Sequence, residues 1–156
     1  MQKSLIMDDK RSLDERIAKF LEENQKQGNG TASHERLLKA INSNPASYGI
    51  PSGSRIFREV RYNGGSKLQV EGIMDLVALD IQDLFTDVYI VEAKENGSQG
   101  RSSKATAQLH KAFVFVNETF GITPVLIKVY YNGRGRIAHK RINPPGVYDA
   151  LYQLDT

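Results

Sequence analysis

Two apolar segments that lie close together in the chain place the strongest constraint on its fold. Residues 68–80 and 87–95 are rich in valine, isoleucine and leucine, and only residues 81–86 separate them. Segments of this length and composition, bounded by polar residues, predict β-strands. We expect the connecting segment to form a turn, through which the two strands pair in one sheet.

The rest of the chain alternates between helical and strand patterns. Apolar residues recur at helical spacing in four segments, which we expect to begin at Ser12 in a capping-box pattern, at His34 after a Ser33 cap, at Ser103, and at Pro144. Strand patterns cover residues 55–62, 123–131 and 136–142. A helix between the third and fourth strands allows that pair to be parallel. We therefore predict an α/β fold with a central mixed β-sheet flanked by helices.

Composition excludes several kinds of site. The 156 residues include no cysteine, which excludes disulfides, Cys-ligated zinc, iron–sulfur clusters and a cysteine nucleophile. The formal net charge of +3 permits a polyanionic partner without requiring one. No apolar run approaches the ~20 residues needed to span a bilayer, and the first residues lack the apolar stretch of a signal peptide. We expect a cytoplasmic protein with no membrane partner.

A polar, glycine-containing break at residues 25–31 separates the first two helical patterns. We therefore expect an N-terminal helical extension, residues 1–30, followed by the main part of the chain, residues 31–156. The length is that of one ordinary domain, so both parts are expected to belong to a single globular domain.

Asp75 and Glu92 lie within the two apolar segments, where a charge is costly unless a cation accompanies it. Side chains alternate along a strand, so we expect Asp75 to share a face with Val77 and Leu79, and Glu92 to share one with Lys94. If the strands pair through the turn, Asp75 approaches Glu92, and the Lys94 ammonium group lies beside them. The alternative is a solvated sheet face that carries an ordinary cross-strand ion pair.

Two carboxylates and one ammonium on rigid strands suit the hydrolysis of phosphodiester bonds. Carboxylate oxygens are the ligands that Mg²⁺ prefers, and the bound ion both neutralises developing charge and acidifies its water. A neighbouring lysine can orient or deprotonate that water, or stabilise the transition state.

Residues 72–79 and 88–94, read together, resemble the PD-(D/E)XK nuclease superfamily, whose members include restriction-endonuclease-like and Holliday-junction-resolvase-like enzymes. Asp75 matches the first acidic position, Glu92 the second and Lys94 the lysine. The resemblance implies a restriction-endonuclease-like core of order αβββαβ, which agrees with the order of elements expected above.

Further positions bear on the same resemblance. The family usually carries a glutamate in the helix before the core strands, and Glu35 occupies that place; some members carry a glutamine in the helix after the lysine, and Gln108 fits it. Met74 stands where the name-giving proline would be, and Ala112 where some exonuclease-like members have tyrosine. The alternative for Glu35 is a surface ion pair with Lys39, and for Gln108 an ordinary polar position on a helix.

The resemblance implies a Mg²⁺-dependent endonuclease acting on DNA, with Mn²⁺ as a substitute ion and no small-molecule cofactor. The metal ligands would be Asp75, Glu92 and Glu35. The small size is similar to archaeal Holliday-junction resolvases, small restriction-type enzymes or phage-encoded endonucleases, which are often homodimers because cutting both strands needs two sites. The alternatives are a structure-selective resolvase, a non-catalytic nucleic-acid-binding module of the same fold, and a protein-interaction domain with no role in nucleic-acid binding.

Basic residues supply candidate phosphate contacts for such a substrate, although they equally suit a solubilising surface. The candidates for nucleic-acid binding are Arg101, Lys104, Lys111, Arg134 and Arg136. The three histidines are too scattered to indicate a histidine metal cluster, and we expect surface or DNA-contact positions for His34, His110 and His139.

Overall fold

The computed structural model describes residues 2–26, 31–64, 70–94, 102–132 and 134–146. Within these ranges the chain forms three α-helices, five β-strands and one 3₁₀ turn. In chain order they are α1 (Gln2–Glu23), α2 (Ala32–Ser43), the 3₁₀ turn (Pro45–Tyr48), β1 (Arg55–Gly64), β2 (Val70–Ile81), β3 (Thr86–Lys94), α3 (Ser102–Phe120), β4 (Val125–Tyr131) and β5 (Ile137–Ile142). None of the helices in these ranges combines the length and apolar character needed to cross a bilayer.

The five strands form one mixed sheet in the order β1-β2-β3-β4-β5. All neighbouring strands are antiparallel except β3 and β4, which are parallel. The parallel pair follows from the connection, because α3 carries the chain from the end of β3 back to the start of β4. The predicted α/β class, with a mixed sheet flanked by helices, is confirmed.

Two apolar layers hold the helices against the sheet. On one face, Ile17 and Leu21 of α1 pack with Leu109 and Phe113 of α3 and with strand residues. On the other face, buried leucine and isoleucine side chains of α2 pack against the sheet. Each fully buried aliphatic side chain contributes roughly 1.5–3 kcal/mol. The predicted N-terminal extension thus supplies core residues, and its division from the rest of the chain stays a prediction.

The starts of two helices were predicted wrongly. Ser12 does not cap α1, which begins at Gln2, because residues 2–11 contain no proline or glycine to stop the helix. Thr31, not Ser33, caps α2: its backbone is extended and its Oγ1 accepts a hydrogen bond from the His34 amide at 3.2 Å. Ser33 is already helical at that point. The predicted last helix falls almost wholly on residues outside the described ranges.

The alternation of side chains between the two faces of the sheet is interrupted in β1 and in β2, at positions that pair with each other. In β1, Phe57 and Val60 lie in the same apolar layer although they are three positions apart. In β2, Met74 and Val77 share that layer in the same way. Regular strands would place such pairs on opposite faces. The break in β1 contains Glu59, whose φ of +51° is in the left-handed region.

Candidate metal and catalytic site

The candidate site lies where β2 and β3 stop pairing. The ladder between these strands ends at the pair Leu76 and Val91, so the next residue of each strand, Asp75 and Glu92, lies just beyond it. Asp75 Oδ2 accepts a hydrogen bond of 2.8 Å from the backbone amide of Ala93. A strand amide points within the plane of the sheet, so the Asp75 carboxylate occupies the gap between the two strands.

This position corrects the expectation of one regular face. Asp75 was expected to continue the face formed by Val77 and Leu79. Instead its carboxylate turns toward the neighbouring strand, because the alternation of β2 breaks between Met74 and Val77.

Glu92 is almost fully buried, with 4% of its surface exposed. Burial raises the pKa of Glu92 well above its usual range, and the adjacent Asp75 carboxylate raises it further, while Lys94 acts in the opposite direction. Lys94 Nζ lies 3.4 Å from Glu92 Oε1. The structure therefore brings Asp75, Glu92 and Lys94 together; their catalytic roles stay predictions.

The first turn of α2 carries two more polar side chains to this place. His34 Nε2 lies 3.4 Å from Asp75 Oδ2, with the imidazole half-buried and not on the open surface. The other expected role of His34, a DNA contact, stays a prediction. Glu35 Oε2 accepts a hydrogen bond from Arg58 Nη2 at 2.6 Å. That hydrogen bond is the main cause of a lowered Glu35 pKa. Both side chains reach the site because the cap at Thr31 fixes where the helix begins.

Glu59 lies beside His34 and Glu35, a placement that the sequence did not predict. The residue is 8% exposed. One ligand atom each from His34, Glu35 and Glu59 lie within 4.8 Å of one another, close enough to hold a metal ion. Glu35 was predicted to bind a metal ion together with Asp75 and Glu92. The structure places it beside His34 and Glu59, and its predicted role with the two strand carboxylates stays a prediction.

The sequence did contain a signal for this group. In Phe57-Arg58-Glu59-Val60 two charged residues stand together between two apolar ones, so the segment does not alternate strictly. A break of this kind in the alternation of a strand marks a local irregularity, such as a bulge, at which side chains change face.

The remaining predicted residues lie apart from the carboxylates or outside the described ranges. Gln108 is half-buried on α3, and among the described residues its Oε1 has no hydrogen-bond partner although it is buried. In the described part of the chain, no contact links the Gln108 side chain to the carboxylates of Asp75 and Glu92. Its catalytic role stays a prediction. Of the residues predicted to contact nucleic acid, Lys104, Lys111, Arg134 and Arg136 are exposed, and Arg101 lies outside the described ranges.

The donor set fits a divalent cation. Asp75 and Glu92 carry two negative charges when ionised, against the single positive charge of Lys94. Such an excess of buried negative charge is unfavourable unless a cation neutralises it. The oxygen donors suit a hard ion of the Mg²⁺ kind.

No protein-family model matches this chain, and no curated protein matches it.

Proposed function

We propose that this chain is a Mg²⁺-dependent endonuclease that hydrolyses phosphodiester bonds in DNA, built on a restriction-endonuclease-like core of the PD-(D/E)XK type. The observation that carries the proposal is the convergence of Asp75, Glu92 and Lys94 at the point where β2 and β3 separate. Three chemically apt side chains meet there on rigid strands, which keeps them in place for a reaction.

Each residue has a distinct role in this proposal. Asp75 and Glu92 would hold the ion, and the Ala93 amide keeps the Asp75 carboxylate in position. The bound ion supplies charge neutralisation at the phosphate and a more acidic water. Lys94, half-buried beside Glu92, orients the attacking water or stabilises the negative charge of the transition state.

The order of elements supports the proposed core. From α2 to β4 the chain follows the sequence helix, three strands, helix, strand, which agrees with αβββαβ. The acidic residues lie on the second and third of those strands, at the positions that the resemblance gives them.

The proposed substrate is supported by exposed positive charge. Lys104 and Lys111 lie on α3, and Arg134 and Arg136 lie in and beside the connection from β4 to β5. Exposed lysine and arginine side chains of this kind bind phosphates without reading sequence. A homodimer, which would cut both strands, is part of the proposal.

A cleavage panel tests the proposal. Linear duplex, flap, four-way junction and single-stranded DNA are incubated with the protein and Mg²⁺, Mn²⁺ or EDTA. We expect metal-dependent nicking that Lys94→Ala abolishes while DNA binding is retained. Lys19→Ala, which removes an exposed lysine of α1, is the matched control and should cut normally.

Two results would reject the proposal in different ways. Normal nicking by Lys94→Ala would show that the lysine is not catalytic. Salt-sensitive DNA binding by the unmodified chain without cleavage of any substrate would instead indicate a non-catalytic nucleic-acid-binding module.

A further inference from the structure

We propose that His34, Glu35 and Glu59 bind a second cation, beside the ion proposed for the Asp75–Glu92 pair, and that they suit a first-row transition metal such as Mn²⁺ or Zn²⁺. The inference concerns metal binding by the free protein, so it does not depend on nuclease activity.

The geometry of the three side chains is the first argument. Their ligand atoms lie within 4.8 Å of one another, two from the first turn of α2 and one from β1. Metal–ligand bonds of about 2.1 Å allow ligand atoms to lie up to about 4.2 Å apart. Small side-chain rotations would therefore bring all three onto one ion.

The burial of Glu59 is the second argument. The residue as a whole is 8% exposed, and its side chain makes no hydrogen bond or ion pair with the described residues. Its backbone also adopts φ +51°, which is unfavourable for a residue with a side chain. A carboxylate on a mostly buried residue is unfavourable unless positive charge lies close to it, and a cation supplies that charge. The group therefore suits a positive ion.

The identity of the donors indicates the kind of ion. An imidazole with two carboxylates suits manganese, iron or zinc, whereas Mg²⁺ prefers oxygen donors and keeps several waters. Arg58 holds Glu35 Oε2 at 2.6 Å and keeps that carboxyl ionised, and leaves Oε1 for the ion.

Asp75 connects the two sites. A metal-binding histidine commonly donates its other ring N–H to a carboxylate, which fixes the orientation of the ring. His34 Nε2 lies 3.4 Å from Asp75 Oδ2, and in this arrangement Nδ1 is the ring atom that would bind the ion.

Titration of Mn²⁺ and of Zn²⁺ into the DNA-free protein tests this site, with calorimetry for both ions and electron paramagnetic resonance for Mn²⁺. We expect two binding events in the unmodified chain. Glu59→Gln and His34→Asn should each weaken one event by more than about 100-fold. Glu92→Gln should weaken the other event. Glu71→Gln, which changes an exposed carboxylate of β2, is the control and should keep both.

His34→Asn keeps the test decisive if the buried change at Glu59 prevents folding, since His34 lies at the half-exposed start of α2. Circular dichroism establishes that each variant is folded. A single binding event in the unmodified chain that Glu92→Gln removes, or unchanged Mn²⁺ and Zn²⁺ binding in His34→Asn, would overturn the second site. Neither result would affect the proposed nuclease, which is tested with Mg²⁺ and DNA.

Discussion

Asp75 Oδ2 accepts a hydrogen bond from the backbone amide of Ala93 at the point where β2 and β3 stop pairing. The side chain thus replaces a backbone carbonyl as the acceptor for this amide. The strands can separate without leaving a buried donor unsatisfied, which would be unfavourable. The same hydrogen bond keeps the carboxylate of Asp75 beside Glu92.

Substitutions at Asp75 separate this structural role from metal binding. Asp75→Asn keeps an oxygen that can accept from Ala93, so its stability should stay within about 0.5 kcal/mol of the unmodified chain. Asp75→Ala leaves the amide unpaired and should lose about 1–3 kcal/mol. Urea unfolding in EDTA measures both. Equal stability of the two variants would show that the hydrogen bond contributes nothing.

Glu92 makes stability depend on pH in the absence of metal. Because the folded state raises the pKa of Glu92, it binds the proton more tightly than the unfolded chain does. The stabilising contribution of that proton is complete below the unfolded pKa of about 4.3 and is lost as the pH rises through the folded pKa. Glu92→Gln should therefore be more stable than the unmodified chain at neutral pH. The expected gain is on the order of 1 kcal/mol for each tenfold difference in proton affinity between folded and unfolded Glu92.

Unfolding free energies measured between pH 4 and pH 8 in EDTA check this expectation. The difference between Glu92→Gln and the unmodified chain should grow with pH. Glu15→Gln, an exposed carboxylate on α1, should show no such trend. A constant difference across the range would mean that Glu92 is as easily ionised in the folded chain as in the unfolded chain.

Part of the fold and site followed from the sequence because short-range patterns determine it. The apolar segments around Asp75 and Glu92 could only be buried strands of one sheet, and the short connection set their pairing. The helix between β3 and β4 required a crossover, which produced the parallel pair. Lys94 then followed from its spacing of two residues from Glu92.

Tertiary contacts determine what the sequence did not indicate. The break in alternation at residues 57–60 marks an irregular strand, but it does not specify a left-handed backbone at Glu59, which is disfavoured in a residue with a side chain. The placement of His34 beside Asp75 depends on the direction in which α2 leaves its cap at Thr31. A start two residues later, as the Ser33 cap predicted, would place the first turn differently.

The cap at Thr31 is expected to support both stability and the second cation site. Thr31→Ala removes the hydrogen bond to the His34 amide and should cost about 1 kcal/mol. A less ordered N-terminal turn of α2 should also weaken Mn²⁺ binding, because His34 and Glu35 lie in that turn. Thr31→Ser keeps a capping hydroxyl and should restore both properties. If Thr31→Ala binds Mn²⁺ as tightly as Thr31→Ser, the cap does not position these side chains.

Gly72 leaves room for the ring of Tyr62 on the neighbouring strand. A Cβ at position 72 would lie 2.6 Å from the Tyr62 hydroxyl and 2.9 Å from Cζ, and the tyrosine is 3% exposed. Gly72→Ala should therefore lose about 1–3 kcal/mol through overpacking. Tyr62→Phe in the same chain removes the nearest atom and should recover part of the loss. Gly146→Ala, whose Cβ would meet no atom of the described residues within 4 Å, is the neutral control in thermal unfolding.

The backbone of Glu59 reverses the usual preference between glycine and alanine. In an ordinary strand, glycine is less stable than alanine by roughly 0.5–1 kcal/mol. At φ +51°, alanine keeps the unfavourable contact of its Cβ, whereas glycine has none. Glu59→Gly should therefore be more stable than Glu59→Ala by about 1 kcal/mol, although both lose the carboxylate and with it the second cation site. Urea unfolding of the pair in EDTA removes metal effects from the comparison. The opposite order would mean that the backbone at this position relaxes to an ordinary strand once the carboxylate is gone, and that the carboxylate itself holds the left-handed conformation.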